Sequence, residues 1–169
     1  MKIKNFLHRT SLLNTYHLVI CDEAFLPLVP NGEKESLIPL VTNYPNLIVI
    51  RSLTKLFSIA GLRLGYVISS PKRVNEWQKL RDPWPLNGLA IEAGIMLMKD
   101  KNKAKIWINK VHNWILSENP WLTKNLNTFK SIKVLPSATN FLLIQGDKSL
   151  IQLRDQLSRK KILLRDCRS

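Results

Sequence analysis

The chain has 169 residues, which is enough for one well-formed hydrophobic core or for two small lobes. A hydrophobic content of 45% excludes a largely disordered protein, and the longest apolar runs are far too short to span a membrane. The basic N-terminal stretch lacks a signal-peptide cleavage site, and the two cysteines form neither a metal-binding spacing nor a disulfide framework, so we expect a cytoplasmic location.

The net charge is strongly positive, with 26 Lys and Arg residues against 12 Asp and Glu residues. Such an excess is typical of nucleic-acid-binding proteins. The basic residues are spread through the second half, however, and no helix-turn-helix, zinc-finger or RNA-binding signature accompanies them. We therefore favour a solvated lysine-rich surface. Nucleic-acid binding without catalysis is the alternative from another class, and it predicts salt-dependent binding that Lys55→Ala leaves intact.

Three short apolar runs predict strands in the first part of the chain, over residues 16–21, 46–50 and 65–69. Continuous Val- and Ile-rich runs of this length are typical of strands buried on both faces. A turn at 30–32 and a predicted helix over 33–43 lie between the first two runs. This order predicts a strand–helix–strand crossover, which joins parallel strands.

The remainder of the chain alternates helical and strand patterns. Helices are predicted over 72–81, 86–98, 101–129 and 149–160, and the third contains a break at Pro120. Strands are predicted over 132–135, 140–145 and 161–164. The first part is therefore α/β and the second part α+β, with a lobe boundary near residue 100.

Two groups of polar residues follow predicted strands, where open α/β sheets bind their ligands. Asp22 comes after the first strand, and Ser-x-Thr-Lys at 52–55 comes after the second, followed by Gly-x-Arg-x-Gly at 61–65. Lys55 is the only charged residue between Leu53 and Leu62. A carboxylate, an amine, a guanidinium and hydroxyls together suit an anionic, aromatic, carbonyl-bearing cofactor.

These two motifs, in this order and with Asp22 33 positions upstream of Lys55, resemble those of pyridoxal-phosphate enzymes of aminotransferase class I and II, which have the aspartate aminotransferase fold. The resemblance implies the C-terminal half of that α/β fold. Residues 1–100 would be part of the cofactor-binding large domain with its parallel sheet, and 101–169 part of the α+β small domain.

The resemblance also implies a role for each motif residue. Lys55 would form a Schiff base with pyridoxal phosphate, Asp22 would pair with the pyridinium nitrogen, and Ser52 and Arg63 would hold the phosphate. The chemistry agrees, because a lysine amine must lose its proton to react, and arginine grips phosphate oxygens bidentately. Arg165 is the candidate for binding a substrate anion, with an ordinary edge-strand charge as its alternative. No metal ligand set is predicted.

Phe25 stands where most members carry a tyrosine that hydrogen-bonds the cofactor's ring oxygen. Together with the segment 83–90, it resembles the threonine-phosphate decarboxylase branch, which acts as a lyase in cobalamin biosynthesis. The segments 137–143 and 162–166 are similar to the small domains of both this branch and histidinol-phosphate aminotransferases. Transamination of histidinol phosphate is thus the near alternative, and either branch implies a small phosphorylated amino-acid substrate.

The resemblance extends from about Leu7 to Cys167 but corresponds only to the second half of such an enzyme. We therefore expect a fragment that binds the cofactor weakly and shows no measurable turnover alone. Full-length members usually build their active sites at a dimer interface, so the resemblance implies a homodimer for the full-length enzyme. It implies no association with a membrane.

Overall fold

The computed structural model describes residues 12–167. The chain divides into two compact units, of which the first ends at Leu116 and the second begins at Ser117. The division into domains near residue 100 stays a prediction. No helix in the described range is long and apolar enough to cross a membrane.

The first unit contains a short helix, α1 (Leu12–Thr15), and a three-stranded sheet with the order β1-β2-β3. Its strands are β1 (Val19–Asp22), β2 (Leu47–Ser52) and β3 (Gly65–Ile68). β1 runs parallel to β2, as the sequence predicts, and β3 runs antiparallel to β2. The central strand therefore receives hydrogen bonds on both sides, and the other two strands are edges.

One face of this sheet is covered by an apolar cluster. Leu37, Leu47 and Val49 are completely buried there, and Val19 and Cys21 of β1 pack against them. The prediction that all three strands are buried on both faces is wrong for the edge strands. Ile20 is 59% exposed and Val67 43% exposed, because their side chains point to the other face, which the described residues leave open.

The connection between β1 and β2 is not the predicted α-helix over 33–43. It contains three short 3₁₀ turns, Leu26–Leu28, Gly32–Glu35 and Ile38–Leu40. Pro39 lacks an amide donor, and the buried carboxylate of Glu23 accepts hydrogen bonds from the Ser36 hydroxyl and the Leu37 amide. The contact with Glu23 thus uses the Leu37 amide, which a helix over these residues would need for its own hydrogen bond.

The helices α2 (Pro71–Leu80) and α3 (Gly88–Lys99) confirm two predicted helices. α2 has proline at its first position, where the missing amide costs nothing. α3 begins two residues later than predicted because Asn87 is its N-cap, with the Asn87 side chain accepting from the Ala90 amide at 2.8 Å.

The helix α4 runs without interruption from Lys101 to Leu126, so the predicted break at Pro120 is wrong. Proline costs a helix interior about 3 kcal/mol, mainly through one lost hydrogen bond and a clash with the preceding turn. Contacts on each side offset this cost. Ile115 is buried with Leu28 and Leu56 in the first unit, and the Asn119 amide donates to the Thr139 carbonyl in the second, at 2.6 Å.

The second unit contains an antiparallel pair, β4 (Ile132–Leu135) and β5 (Leu143–Gly146), followed by the helix α5 (Ile151–Arg159). The predicted strand over 161–164 is absent from the structure. Lys161 has a left-handed backbone with φ 64°, and the Ile162 amide donates to the Leu157 carbonyl. This helix cap reverses the direction of the chain, and it uses the Ile162 amide, which would otherwise be free to pair in a sheet.

Candidate functional site

The register of the three-stranded sheet brings the motif residues to one end of it. Asp22 is the last residue of β1, and Ser52 is the last residue of β2 and pairs with Gly65 at the start of β3. Because β1 and β2 are parallel, their carboxyl ends lie side by side, and β3 begins at the same end. Residues that are 30 positions apart in the sequence thus become neighbours in space.

Side-chain alternation places Asp22 and Ser52 on the same face of this sheet end, which is the open face that also carries Ile20. The Asp22 side chain is exposed, and its Oδ1 accepts a hydrogen bond from the Ala24 amide at 2.9 Å. This turn fixes the direction of the carboxylate relative to the strand end.

Lys55 lies in the loop after β2 and is half-buried. The hydroxyls of Ser52 and Thr54 are 2.7 Å apart, and the Lys55 Nζ donates to the Ser52 Oγ at 3.4 Å. The same Nζ lies 5.5 Å from the centre of the Phe25 ring, a favourable position for a cation over an aromatic face. The amine is therefore held between the two strand ends, in contact with a residue from each.

Arg63 is exposed and has a left-handed backbone, with φ 53° and ψ 42°. This conformation costs a non-glycine residue about 1–2 kcal/mol. Among residues 12–167, no group forms a hydrogen bond or ion pair with its guanidinium. The guanidinium is thus exposed and makes no internal contact in that range that would compete with a bound anion.

The two glycines of this motif, Gly61 and Gly65, have different surroundings. None of the described glycines has positive φ. A Cβ on Gly65 would lie 2.8 Å from the Arg51 carbonyl oxygen, so this glycine permits close strand pairing beside the site. Nothing lies within 4 Å of a Cβ built on Gly61.

The helix α4 supports both loops of the site, which the sequence does not indicate. The Trp107 indole donates to the Leu56 carbonyl at 2.7 Å, one residue after Lys55. The His112 Nε2 lies 2.9 Å from the Pro27 carbonyl in the loop after β1. Both acceptors are backbone carbonyls, so no sequence motif marks these contacts.

Replacing Trp107 with Phe is expected to destabilise the first unit by about 1–3 kcal/mol, because the half-buried Leu56 carbonyl loses its donor. Urea denaturation followed by circular dichroism measures the change. Trp84→Phe is the matched control, since Trp84 is 80% exposed, and it should change the free energy of unfolding by less than about 0.5 kcal/mol. Equal effects of the two substitutions would show that the indole contact carries no stability.

Two other groups bear on the chemistry. Burial, with smaller contributions from Glu23 and Asp22, raises the pKa of the Cys21 thiol to about 11, so this thiol is protonated at neutral pH and is not a nucleophile. Arg165 lies after α5 in the second unit and is exposed, so its substrate-binding role stays a prediction. The described residues hold no group of three or more His, Cys, Asp and Glu side chains suited to a metal ion.

Sequence relatives of the chain include enzymes of two kinds. It is 30% identical over 149 residues to a putative threonine-phosphate decarboxylase of Caldanaerobacter subterraneus subsp. tengcongensis. It is 33% identical over 152 residues to a histidinol-phosphate aminotransferase of Blochmanniella floridana. Each alignment covers 88% of this chain, which spans about 40% of the length of these relatives.

Solved structures show the same fold. The histidinol-phosphate aminotransferase of Clostridium acetobutylicum superposes with a TM-score of 0.85 and 29% identity, over 99% of this chain and 50% of that one. The Sinorhizobium meliloti enzyme of the same name, solved with pyridoxal-5'-phosphate, superposes with a TM-score of 0.79 and 23% identity, over 98% of this chain and 44% of that one.

These superpositions confirm the predicted fold class, a part of the α/β fold of pyridoxal-phosphate-dependent enzymes. The family model "Aminotransferase class I and II" matches residues 10–169, which is nearly the whole chain. The enzymes of this family depend on pyridoxal phosphate, so the family resemblance that the two motifs carry is confirmed. The chain belongs to the aminotransferase class I and II family.

Proposed function

We propose that the chain carries the cofactor-anchoring part of a pyridoxal-phosphate enzyme that acts on a small phosphorylated amino acid, and that Lys55 is the anchoring residue. One observation carries the proposal. The Lys55 amine lies between the Ser52 hydroxyl and the Phe25 ring, at the carboxyl ends of two parallel strands. An amine held at that place is positioned to meet an aldehyde bound in front of the sheet.

The donor set fits the cofactor group by group. The Arg63 guanidinium and the hydroxyls of Ser52 and Thr54 suit a phosphate, because they supply a fixed positive charge and short polar contacts. The Asp22 carboxylate suits a ring nitrogen that carries a proton, and the Lys55 amine suits an aldehyde carbon. All of these groups belong to one sheet end.

Pyridoxal phosphate, when bound, supplies an electron sink for the negative charge that develops at the substrate's alpha carbon. The residues of this chain have separate tasks. Asp22 holds the proton at the ring nitrogen, and Arg63 and Ser52 fix the phosphate. Lys55 reacts only in its unprotonated form, because a protonated amine has no lone pair with which to attack the aldehyde carbon.

The test of this proposal is chemical trapping on the intact chain. The chain is mixed with pyridoxal phosphate, reduced with borohydride, digested and mapped by mass spectrometry. Modification concentrated at Lys55 supports the proposal. Modification spread evenly over the many exposed lysines contradicts it, because it shows that no lysine is distinguished by its surroundings.

For the reaction itself, we propose decarboxylation of threonine phosphate, with transamination of histidinol phosphate as the alternative. Relatives of both kinds are similar at 30–33% identity, so identity does not separate them. Phe25 favours the decarboxylase branch, because its ring packs over Lys55 and has no hydroxyl to offer a cofactor oxygen. A chain with net charge +14 also suits the substrate with the additional carboxylate.

The two branches are distinguished by titrating the cofactor-loaded chain with each substrate. O-phosphothreonine is expected to change the visible spectrum at a concentration about tenfold lower than histidinol phosphate, since one extra charge-assisted contact contributes about 1.5–3 kcal/mol. Arg165→Ala is expected to weaken the response to O-phosphothreonine by a similar factor. A response to histidinol phosphate at the lower concentration would favour the aminotransferase branch.

A further inference from the structure

A buried ion pair lies directly behind the candidate site. Glu23 follows Asp22 and is 2% exposed, and Arg51 precedes Ser52 and is 4% exposed. Because side chains alternate along extended chain, Asp22 and Ser52 point to the open face while Glu23 and Arg51 point to the covered face. Each member of the pair is thus the sequence neighbour of a site residue, with its side chain on the other side of the sheet.

The contacts of this pair join three segments. The Arg51 Nη2 lies 2.8 Å from the Glu23 Oε2, and the Glu33 carboxylate accepts from both terminal nitrogens of Arg51, at 2.6 and 2.9 Å. Glu23 also accepts from the Ser36 hydroxyl at 2.9 Å and from the Leu37 amide at 2.7 Å. Burial lowers the pKa of Arg51, but its hydrogen bond and charge interactions with Glu33, and the charge of Glu23, outweigh burial and raise it.

The position of the pair matters because the strand ladder ends here. The last hydrogen bond between the two parallel segments runs from the Glu23 amide to the Ile50 carbonyl, at 2.9 Å, and after it the chain turns away at Ala24. Past this point, the Glu23–Arg51 contact connects the two strand ends. A buried ion pair is a poor source of stability compared with apolar packing, but it fixes distance and direction.

We propose that Glu23 and Arg51 are positioning residues, which hold Asp22 and Ser52 at the separation that the candidate site requires. The part of this inference that concerns cofactor affinity rests on the proposed function. The part that concerns the geometry of the two strand ends does not, because it is a property of the cofactor-free chain.

Hydrogen exchange on the cofactor-free chain tests the geometry. In Glu23→Gln, the amides of Ala24 and Leu53 are expected to exchange at least about tenfold faster, since the strand ends open locally without global unfolding. Val41→Ala is the matched control, because Val41 lies in the same apolar cluster but outside the ion pair. After correction for any change in global stability, the exchange rates of both amides in this variant should lie within about twofold of those in the parent chain. The amides of β4 and β5 serve as the internal reference.

Two milder variants keep the test possible if Glu23→Gln does not fold. Arg51→Lys keeps the charge but removes the planar fork. Ser36→Ala removes the three hydrogen bonds of the Ser36 hydroxyl, with Glu23, Arg51 and the Ile38 amide, while leaving the ion pair in place. Both are expected to accelerate exchange at Ala24 and Leu53 by an intermediate factor. If Glu23→Gln, Arg51→Lys and Ser36→Ala all show the same exchange rates at these amides as Val41→Ala, the positioning role is overturned.

Cofactor affinity is the second readout. Glu23→Gln is expected to raise the apparent Kd for pyridoxal phosphate by about tenfold, measured by visible absorbance, while Val41→Ala leaves it unchanged. An unchanged Kd in Glu23→Gln would overturn the link between the pair and the site. If the parent chain itself fails to bind pyridoxal phosphate at Lys55, the proposed function is wrong. The exchange data then still decide whether the Glu23–Arg51 pair holds the two strand ends.

Discussion

Lys55→Ala is expected to abolish the visible absorbance that the parent chain develops with pyridoxal phosphate, and to abolish trapping of the cofactor by borohydride. The reason is chemical. In the proposed function, the amine next to the Ser52 hydroxyl and the Phe25 ring is the nucleophile for the aldehyde, and alanine offers no replacement. The expected effect is a complete loss of site-specific labelling, measured by absorbance and by peptide mass.

Two companion variants make this result specific to Lys55. Lys55→Arg keeps a positive charge at the same place, yet it should also remain colourless, because a guanidinium does not lose its proton at neutral pH. Lys79→Ala removes an exposed lysine from α2 and should behave like the parent chain. Colour that persists in Lys55→Ala and disappears in Lys79→Ala would show that the reactive amine belongs to an exposed surface lysine and not to Lys55.

Arg63→Gly is expected to change stability and affinity in opposite directions. Glycine adopts the left-handed conformation at φ 53° without strain, and relief of about 1–2 kcal/mol exceeds the entropy that glycine adds to the unfolded chain. The free energy of unfolding should therefore rise by about 0.5–1 kcal/mol. Affinity for pyridoxal phosphate should fall about ten- to a hundredfold, because the proposed charged partner of the phosphate is lost.

Arg63→Ala is the matched control, since it removes the guanidinium but keeps the left-handed strain. Its affinity should fall as in Arg63→Gly, while its stability should not rise. Urea denaturation and cofactor titration of the two variants measure these effects. If Arg63→Gly is no more stable than Arg63→Ala, the backbone at this position is not strained. If both variants bind the cofactor as the parent chain does, Arg63 does not hold the phosphate.

Local patterns in the sequence were sufficient for most of the elements and for the identity of the candidate site. The strands β2, β3 and β4 and the helices α2, α3 and α5 lie within a few residues of their predicted positions. Apolar runs and helical periodicity reflect interactions between residues close in sequence, so they can be interpreted without a structure. The motifs around Asp22 and Lys55 are likewise local, and they led to the family that the comparisons confirm.

Only the tertiary structure decided the features that depend on distant residues. The Glu23 carboxylate accepts from the Leu37 amide, a backbone donor that the predicted helix over 33–43 would need. Packing on both sides of Pro120 keeps α4 continuous.

The support of the site depends on such contacts too. The Glu23–Arg51 pair and the Trp107 contact with the Leu56 carbonyl join residues 28 and 51 positions apart. The sequence by itself therefore determined which side chains carry the proposed chemistry. Their support was decided by the fold, because a buried carboxylate or a backbone carbonyl finds its partner only when the chain is packed.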